Sequence, residues 1–349
     1  MSTLTIGVSG INATNNPGPG IPVAKSLKES SLDCQLVGLS YDVNDPGHYL
    51  SHYLDKSYIL PYPTNGWDGI YKRLVHIKKE FGLDIVIPCL DAELPLYIKY
   101  ADELKKIGIE TFLPTEKQFE LRNKDRLSGF AESIGAVYPK TCKIYSVNEL
   151  SKVFDDHSEV MIKGQYYKAY RVNTLADATK YFLSIAEEWG FPILIQEIVK
   201  GEELNLIGVG DGKGGSLGMV AIKKQTTTDI GKIWSGVTIY HDGLKKVAEK
   251  FTKKTKWQGP FEIECIVDGD KIQLIEINPR FPAWAYFATG VGINLPERII
   301  KAVLKQKNVN ESSYPSGKMF IRYTDEIICD ITQFSNLVTV GENHHAVTN

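Results

Sequence analysis

The first third of the chain alternates short apolar segments with amphipathic ones, and this alternation restricts the possible fold more than any other feature of the sequence. The apolar segments have the composition of buried strands: LTIGVSG (4–10), CQLVGLSYD (34–42), LDIVIPCLDAELP (83–95) and IETFLP (109–114). The segments between them include two with helical periodicity: IPVAKSLKES (21–30) and WDGIYKRLVHIKKEFG (67–82). Strands that alternate with helices form an open parallel sheet, so residues 1–113 are predicted to form a Rossmann-like α/β unit.

Two polar segments lie where strands of this predicted sheet end, and open parallel sheets bind ligands at that edge. Residues 12–20 follow the first strand, and Asp91 and Glu93 follow the third predicted strand. Amide donors of the loop suit a carboxylate and the two acids suit an ammonium group, so Asn12, Asp91 and Glu93 are predicted to bind an amino acid substrate. In simpler alternatives, the loop only turns the chain and Asp91 caps the helix that begins near Glu93.

The same loop argues against a dinucleotide-binding site. A loop with glycines after the first strand, with Asp42 at the end of the second, resembles a dinucleotide-binding fold. However, NATNNPGPG lacks the G-x-G-x-x-G spacing, and its prolines obstruct the close approach of a pyrophosphate to the backbone. An NAD-dependent dehydrogenase is therefore kept only as a remote alternative.

Length, charge and cysteine content define the class of protein. A chain of 349 residues exceeds what one hydrophobic core usually holds, which indicates two or three packed units. The formal net charge of −2 argues against nucleic-acid binding. The five cysteines are scattered, as is typical of reduced thiols in a protein core, and we expect neither a secretory signal nor a membrane-spanning run. We expect a cytoplasmic enzyme that binds neither nucleic acid nor membranes.

From residue 114 onward, strands separated by glycine turns become more frequent than helices. The predicted strands lie within EVMIKGQ (159–165), KAYRVN (168–173), a long run at 191–224, KIWSGVTIY (232–240) and a hairpin at 261–281. Two helices are predicted at 175–190 and 242–257. This pattern is typical of an α+β region distinct from the first unit. We expect GKMFIRYTDEIICDI (317–331) to add a strand and NHHAVTN (343–349) to be a frayed tail.

Acidic side chains interrupt the hairpin at 261–281, FEIECIVDGDKIQLIEINPRF. A three-residue turn at 268–270 would place Glu264 and Glu276 on neighbouring strands of one face, with Asn278 beside them. Two carboxylates and an amide oxygen, without sulfur or imidazole, form the hard-oxygen site that Mg²⁺ prefers. The hairpin therefore predicts a magnesium site.

The simpler alternative is a solvated acidic face, which is common on hairpins. Alternation along the second strand would place Ile272 and Leu274 on the face of Glu276, and strands that face water rarely carry such a mixture. A buried carboxylate is costly unless a cation, a metal or a ligand compensates its charge. The metal hypothesis is favoured on these grounds.

This hairpin resembles the metal-binding hairpin of ATP-grasp enzymes, above all in the carbamoyl phosphate synthetase and biotin carboxylase branch. In that family one Glu precedes a second by twelve residues, and x-N-x-R follows. The matching positions here are Glu264, Glu276, Asn278 and Arg280. The resemblance covers roughly residues 114–305, and a parallel-sheet domain before it is also a feature of the family.

The resemblance implies a fold and its boundaries. It implies an α/β pre-ATP-grasp domain followed by a two-lobed α+β ATP-grasp domain. The implied ranges are 1–113 for the first domain, 114–311 for the second, with lobes at about 114–194 and 195–311, and 312–349 for a C-terminal strand and flexible tail.

The resemblance also implies the residues that contact the nucleotide. The segment RNKDRLSGFAESIGAVYPKT carries the first ATP lysine, EVMIKG carries the second, LIQEIVKGEELNL forms the adenine hinge and ribose contact, and AIKK adds a further phosphate contact. The implied contacts are, in chain order, Lys124, Lys163, Gln196, Glu197, Ile198, Val199, Glu203 and Lys223.

The family's chemistry implies an ADP-forming ligase that activates a small carboxylate as an acyl phosphate and couples it to an amine. The implied cofactors are ATP and two Mg²⁺ (or Mn²⁺) ions on Glu264, Glu276 and Asn278, while Lys163 and Arg280 take up the charge that develops during transfer. A homodimer is compatible with the family. The alternatives are an enzyme that activates bicarbonate or supplies an acyl phosphate to a partner protein, and a nucleotide-binding protein without turnover.

One segment departs from the family pattern. Most relatives follow the second lysine with a glycine-rich flap over the phosphates, whereas this chain has KGQYYKAYRV. A short aromatic hairpin cannot offer successive backbone N–H groups as a glycine loop does. We therefore expect closure over the phosphates to depend on Lys168 or Arg171.

Overall fold

The computed structural model describes residues 3–14, 16–124, 126–165, 168–228, 231–307 and 313–345. The strands are β1 (Leu4–Ser9), β2 (Cys34–Ser40), β3 (Lys56–Ile59), β4 (Ile85–Ile87), β5 (Thr141–Ile144), β6 (Val160–Lys163), β7 (Ala169–Val172), β8 (Ile193–Glu197), β9 (Glu202–Asp211), β10 (Ser216–Thr227), β11 (Ile233–Ile239), β12 (Gln258–Asp268), β13 (Lys271–Asn278), β14 (Met319–Ile321) and β15 (Glu342–His344). The helices are α1 (Gly20–Lys28), α2 (Trp67–Phe81), α3 (Leu94–Lys99), α4 (Ala101–Lys106), α5 (Glu116–Phe119), α6 (Leu127–Ser133), α7 (Val147–Asp156), α8 (Leu175–Trp189), α9 (Asp242–Thr255), α10 (Tyr286–Gly290), α11 (Leu295–Val303) and α12 (Ile331–Thr339). Short 3₁₀ turns lie at Pro46–Tyr49, Pro63–Asn65 and Glu120–Arg122.

The first unit is built on a five-stranded sheet with the order β15-β3-β2-β1-β4. Strands β3, β2, β1 and β4 run parallel, with Leu4 opposite Cys34 and Ile6 opposite Ile85. The residues of β1 after Leu4, and those of β4, are buried between α-helices, as expected for a parallel sheet that is covered on both faces. The prediction of an open α/β unit is confirmed.

The membership of this sheet differs from the prediction at two edges. The predicted strand at 109–114 contributes only a bridge of Glu110 to Ile85, and the unpredicted strand β3 takes the fourth parallel position. The chain end, which was expected to fray, returns as β15 and pairs antiparallel with β3. It is held there because Glu342 forms an ion pair with Arg73 and the Asn343 side chain donates to the His48 carbonyl. Residues 346–349 of the predicted tail lie outside the described residues.

Helix boundaries follow local signals in the sequence. Helix α2 ends at Gly82, which adopts the left-handed conformation (φ 80°, ψ 30°) that glycine tolerates best. Helix α8 begins after Thr174, whose hydroxyl accepts a hydrogen bond from the Asp177 N–H, and α11 begins after Asn294, whose side chain does the same for Glu297.

The small lobe is a four-stranded antiparallel sheet with the order β5-β8-β6-β7. One face packs on α7 and α8 through an apolar cluster that includes Ile162, Phe182 and Ile195. The alternate residues, among them Lys163 and Gln196, project from the opposite face. Because β8 lies wholly in this sheet, the chain leaves the small lobe after Glu197.

The large lobe is a six-stranded antiparallel sheet with the order β13-β12-β9-β10-β11-β14. Its last strand, β14, confirms the strand expected within 317–331 and pairs with β11. One face packs on α6 and α9 through a second apolar cluster that includes Phe251, Ile263 and Leu274. The predicted α+β architecture from residue 114 onward is confirmed.

In the hairpin β12–β13, Glu264 and Glu276 lie on one face as predicted, but the turn and the register that bring them together differ from the prediction. Its turn contains two residues, since Asp268 pairs with Lys271, and not the three predicted at 268–270. A bulge at Ile275 shifts the register between the pairs Glu264–Glu276 and Cys265–Leu274 and so restores the expected parity.

The bulge also corrects one argument from the sequence. Ile272 and Leu274 lie on the apolar face with Ile277, and not on the face of Glu276, because one extra residue exchanges the two faces of the strand. Apart from the bulged Ile275, the apolar residues of β13 therefore lie on the face opposite Glu276 and Asn278.

Within the described ranges, no helix is both long and apolar enough to cross a membrane. All five cysteines are unpaired thiols, as the scattered spacing predicted, but Cys142 and Cys329 are exposed and do not belong to the core.

Candidate active site

The second face of the large-lobe sheet carries a cluster of polar side chains, here called the polar cluster: Asn205, Lys224, Glu262, Glu264, Glu276 and Asn278. The register explains why they meet, because Glu262 pairs with Asn278, and Glu264 pairs with Glu276 on one side and with Asn205 on the other. All of them project to the same side of the sheet, opposite the apolar cluster.

The Asn278 amide is oriented by two carboxylates. Its Nδ2 donates to Glu262 Oε2 (3.0 Å) and to Glu264 Oε1 (2.9 Å). With both N–H groups directed to acceptors, the amide oxygen remains available for another ligand. Among the described residues, no three His, Cys, Asp or Glu side chains converge closely enough to bind a metal by themselves. A metal here would need this amide oxygen and oxygens from a ligand to complete its coordination.

Lys224 compensates the charge of the hairpin carboxylates. Its Nζ lies 2.9 Å from Glu264 Oε2 and 3.3 Å from Glu203 Oε2. Burial by itself would raise the pKa of Glu264, but Lys224 holds it below its ordinary value. Burial by itself would lower the pKa of Lys224, but Glu264 raises it. Each group therefore favours the charged form of the other.

The predicted phosphate contact Lys223 does not join this cluster. Strand alternation places it on the other face of β10, where its ammonium group forms an ion pair with Glu202. Its neighbour Lys224 shares a face with Glu264 instead. The two lysines are adjacent in the chain and lie on opposite faces of β10, and the sequence AIKK does not reveal which of them faces the polar cluster.

Two further lysines approach from the small lobe and the segment that precedes it. Lys163 Nζ donates to Gln196 Oε1 (2.6 Å), and Lys124 Nζ lies 3.9 Å from Glu276 Oε1. Burial and the nearby charge of Lys124 lower the pKa of Lys163 to about 8. Burial raises the pKa of Glu276, although Lys124 opposes this shift. The predicted lysines thus lie beside the polar cluster.

The predicted hinge lies beside an open cleft of about 720 Å³. Four of the predicted nucleotide contacts line it, namely Glu197, Ile198, Val199 and Glu203. Gln196 is buried behind them, where its Nε2 donates to Thr141 Oγ1 (2.9 Å).

The residues expected to close over the phosphates are engaged within the small lobe. Lys168 forms an ion pair with Glu188, and Arg171 forms one with Glu159. Tyr166 and Tyr167 lie outside the described residues. In this conformation neither Lys168 nor Arg171 contacts the polar cluster.

Arg280 connects the polar cluster to the first unit. Its Nε donates to Asp91 Oδ2 (2.7 Å), while Arg122 Nη1 donates to Asp91 Oδ1 (3.0 Å). Burial by itself would raise the pKa of Asp91, but Arg280 and Arg122 hold it below its ordinary value. Asp91 therefore does not cap helix α3, which begins after Glu93 without any side-chain cap.

Glu93 is turned into the first unit. Its carboxylate accepts hydrogen bonds from the Ser9 and Tyr41 hydroxyls and from the N–H groups of Cys89 and Leu90 (both 2.9 Å). It is fully buried, and burial raises its pKa. These contacts do not support the predicted role of Glu93 in binding an ammonium group.

The third predicted substrate residue is also used locally. Asn12 Nδ2 donates to the Asn16 carbonyl (2.6 Å), and the Gly18 N–H donates to the Asn12 carbonyl (2.7 Å). A Cβ on Gly18 would lie 2.1 Å from Asn12 Oδ1, so glycine is required for this close packing. Asn12, Asn16 and Gly18 are thus bonded to one another within the loop.

Five residues of the site were not predicted to take part in it: Arg122, Asn205, Lys224, Lys232 and Glu262. Glu262 precedes Glu264 by two residues on the predicted polar face, so alternation alone could have identified it. It is buried and accepts from Asn205 Nδ2 (2.8 Å) and Trp284 Nε1 (2.7 Å). Lys232 lies close enough that burial and Arg280 lower its pKa. Nothing local in the sequence marks Arg122 or Lys232.

Comparison with known proteins finds a matching family model and a curated relative. The model describes "ATP-grasp in the biosynthetic pathway with Ter operon" and matches residues 191–327. The relative is the arginine-specific large chain of carbamoyl phosphate synthase from Bacillus subtilis (strain 168), which is 24% identical over 285 residues. That match covers 75% of this chain but only 26% of the relative, so the chain spans about a quarter of that protein's length.

Several solved structures share this fold. The biotin carboxylase domain of 2-oxoglutarate carboxylase from Hydrogenobacter thermophilus has a TM-score of 0.64 and 17% identity, covering 90% of this chain and 73% of that one. L-amino acid ligase from Bacillus licheniformis has a TM-score of 0.64 and 15% identity, covering 86% and 74%. N5-carboxyaminoimidazole ribonucleotide synthetase from Thermus thermophilus has a TM-score of 0.63 and 15% identity, covering 89% and 81%. The family model and these structures agree with the observed sheet architecture: residues 191–327 are similar to an ATP-grasp family, and the chain shares the fold of these structures.

Proposed function

We propose that this protein is an ATP-dependent ligase that activates a carboxylate as an acyl phosphate and couples it to an amine, releasing ADP and phosphate. The observation that carries this proposal is the polar cluster on the large-lobe sheet. Glu264, Glu276 and Asn278 belong to this cluster, and Lys124 and Lys163 lie next to it, so the candidate metal ligands are close to the candidate phosphate-binding cations.

The nucleotide is proposed to lie in the 720 Å³ cleft beside the hinge. The backbone from Gln196 to Val199 would hold the purine edge and Glu203 the ribose hydroxyls. Lys124 and Lys163 would then face the phosphates, because both lie beside the polar cluster, which adjoins the cleft where Lys224 contacts Glu203. Lys223 is left out of this assignment because it lies on the other face of its strand.

The hairpin fits a hard divalent cation such as Mg²⁺ or Mn²⁺, and we propose two ions, as in the family. The fit rests on Asn278, whose amide oxygen stays available for a cation because its nitrogen donates to two carboxylates. Lys224 now neutralises Glu264, so it must give way or share that carboxylate when a cation binds. Bound metal would neutralise the triphosphate and polarise the transferred phosphoryl group.

The chain's own residues would stabilise charge during transfer. A carboxylate oxygen of the substrate attacks the γ-phosphorus and ADP leaves; an amine nitrogen then attacks the acyl carbon, loses a proton, and phosphate leaves. Arg280 and Lys163 are the cations placed to stabilise the negative charge on the phosphoryl oxygens. No protein nucleophile is required.

The substrate pair is open, and an ADP-release assay tests the proposal. Purified protein with MgATP is screened against pools of amino acids and small acids, and products are identified by mass spectrometry. ADP release that depends on a carboxylate and an amine, with a product lighter than their sum by one water, supports the ligase. ADP release with bicarbonate alone, or only with an added protein, indicates the alternative class. No release with any pool contradicts the proposal.

We also propose a homodimer. The supporting observation is the exposed apolar stretch at the C-terminal end, where Ile321, Tyr323, Ile328 and Ile331 are between 63% and 99% exposed. The biotin carboxylase domain from Hydrogenobacter thermophilus, which shares this fold, is a dimer in its crystal structure. Light scattering coupled to size-exclusion chromatography tests this, and a monomer at all concentrations would contradict it.

A further inference from the structure

The side chains of the two acids that follow strand β4, Asp91 and Glu93, bind to different parts of the molecule. Glu93 turns back into the first unit and fixes the loop it stands on through Ser9, Cys89 and Leu90. Asp91 leaves the same loop and reaches the ATP-grasp domain, where two guanidinium groups bind its carboxylate. The anchored loop therefore presents Asp91 at a fixed position.

We propose that Asp91 is a positioning residue, which fixes the Arg280 guanidinium where it binds the transferred phosphoryl group. This inference rests on the proposed function, because it gives Arg280 its role from there. It adds that the first unit completes the active site and does not merely pack beside it.

The hydrogen bonds of Arg280 leave one edge of its guanidinium for a ligand. Nε donates to Asp91 Oδ2 (2.7 Å), and Nη1 donates to the Phe281 carbonyl (3.2 Å). Within the described part of the chain, Nη2 has no hydrogen-bond partner, although the side chain is only 11% exposed. A planar guanidinium held on two edges presents the third in a fixed direction, which suits phosphate oxygens.

The location of Arg280 makes this edge relevant to the phosphates. Arg280 follows the metal-ligand candidates Glu276 and Asn278 on the same segment. Burial by itself would lower the pKa of Arg280, but Asp91 and other nearby carboxylates raise it. Glu276 is one of these carboxylates, so it lies near the guanidinium. Without Asp91, Arg280 would be free to turn toward those carboxylates. Asp91 thus competes with the metal ligands for this cation.

Arg122 also binds Asp91, and it lies on the segment that carries Lys124, the lysine proposed to contact ATP. It binds the other oxygen of Asp91, and its guanidinium stacks over Phe119 at 4.3 Å. Lys124 follows Arg122 by two residues and lies 3.9 Å from Glu276. The single carboxylate of Asp91 therefore connects the segments that carry Arg122 and Arg280 to the loop after β4.

The chain offers a matched control for this contact. Glu297 on α11 also links the large lobe to the first unit, since it accepts hydrogen bonds from Ser31 N (3.2 Å) and Ser31 Oγ (2.6 Å). Its other ion-pair partner is Lys301, on the same helix. Glu297→Gln therefore tests the loss of a carboxylate between the same two parts of the molecule without touching Arg280.

The experiment measures the affinity of inorganic phosphate for MgADP-saturated protein by calorimetry, in full-length wild type, Asp91→Asn, Asp91→Glu, Arg280→Met and Glu297→Gln. We expect Asp91→Asn and Arg280→Met to weaken phosphate binding by about ten- to a hundredfold, as for loss of a charge-assisted hydrogen bond. Asp91→Glu should restore part of the loss.

The outcomes distinguish a role of Asp91 in positioning Arg280 from a purely structural role. If Asp91→Asn lowers the melting temperature as Glu297→Gln does but binds phosphate like wild type, Asp91 is only a structural link and the inference is overturned. Wild-type protein that does not bind MgADP would overturn the proposed function, and this inference with it. Normal MgADP binding with unchanged phosphate affinity in Asp91→Asn would overturn the inference alone.

Discussion

Glu93 in the first unit and Glu264 in the large lobe are both buried carboxylates, yet their surroundings differ in kind. Glu93 accepts hydrogen bonds from two hydroxyls and two backbone N–H groups, and no cation of the described residues touches it. Glu264 is bound by the ammonium group of Lys224 and by the Asn278 amide. Burial raises the pKa of Glu93, while Lys224 overcomes burial and lowers that of Glu264.

The difference indicates what each carboxylate can do. Fixed neutral donors surround Glu93 on all sides, so it is an internal anchor with no place for a ligand. Glu264 is balanced by a lysine on a flexible side chain, which a metal or a substrate can displace. Burial of an acid therefore does not by itself indicate a binding site, whereas burial against exchangeable charges does.

The largest effect is expected at the hairpin. Glu276→Gln and Asn278→Ala should each abolish ligand-dependent ADP release while circular dichroism and melting behaviour persist, because loss of a metal ligand removes several kcal/mol of transition-state stabilisation. Glu202→Gln is the control, since Glu202 is exposed and pairs with Lys223. Turnover by Glu276→Gln at the wild-type rate would remove the hairpin from the active site.

For Glu93, the internal anchor, we expect the reverse result: stability falls and ATP binding is unchanged. Glu93→Ala should lower the free energy of unfolding by about 2–4 kcal/mol, because it leaves several buried donors without an acceptor. Glu93→Gln should cost less, since its amide keeps one acceptor oxygen and no charge is needed there. Denaturant titration measures both, with ATP affinity unchanged in the soluble variants; a stable Glu93→Ala protein that fails to bind amine substrate would reverse the assignment.

A smaller effect is expected for the ATP lysines. Lys163→Ala should weaken ATP binding by about ten- to a hundredfold while adenosine binding stays the same, because a charge-assisted contact to phosphate is lost. Lys223→Ala is the matched control and should leave both affinities unchanged, since Lys223 faces away from the cluster. Calorimetric titration of both ligands decides this, and equal losses for ATP and adenosine would place Lys163 away from the phosphates.

The smallest effect concerns pH. Burial and Lys124 lower the pKa of Lys163 to about 8, so this amine loses its proton in the free protein as the pH rises through that value. A triphosphate favours the charged form, so ATP binding should take up a proton and the affinity should fall above about pH 8. Calorimetry in buffers of different ionisation enthalpy measures this uptake, which should disappear in Lys163→Ala; uptake that persists there would assign it to another group.

The sequence identified the parts of this protein that repeat a physical pattern. Alternating strands and helices predicted the parallel sheet, and the spacing of Glu264, Glu276 and Asn278 predicted their meeting on one face. The bulge at Ile275 was not predictable, because both a bulged two-residue turn and a regular three-residue turn satisfy the same alternation.

Contacts between distant segments could not be predicted from the sequence, for a different reason. Asp91 was expected to bind a substrate ammonium group, but it is already held by Arg280 and Arg122, which lie 189 and 31 residues away. A lone acid at a strand end has the same local signature whether a ligand or an arginine neutralises it. Likewise, nothing local separates Lys223 from Lys224. Only the packed structure resolves these alternatives.

The most direct test of the central claim is electron paramagnetic resonance of Mn²⁺ in the presence of a non-hydrolysable ATP analogue. It compares the wild type with Glu264→Gln, Glu276→Gln and the control Glu202→Gln. We predict Mn²⁺ bound with nucleotide in the wild type and in Glu202→Gln, and bound Mn²⁺ strongly reduced in the two hairpin variants. Full Mn²⁺ occupancy in Glu276→Gln, with the same spectrum as the wild type, would contradict the assignment of the hairpin as the metal-binding element.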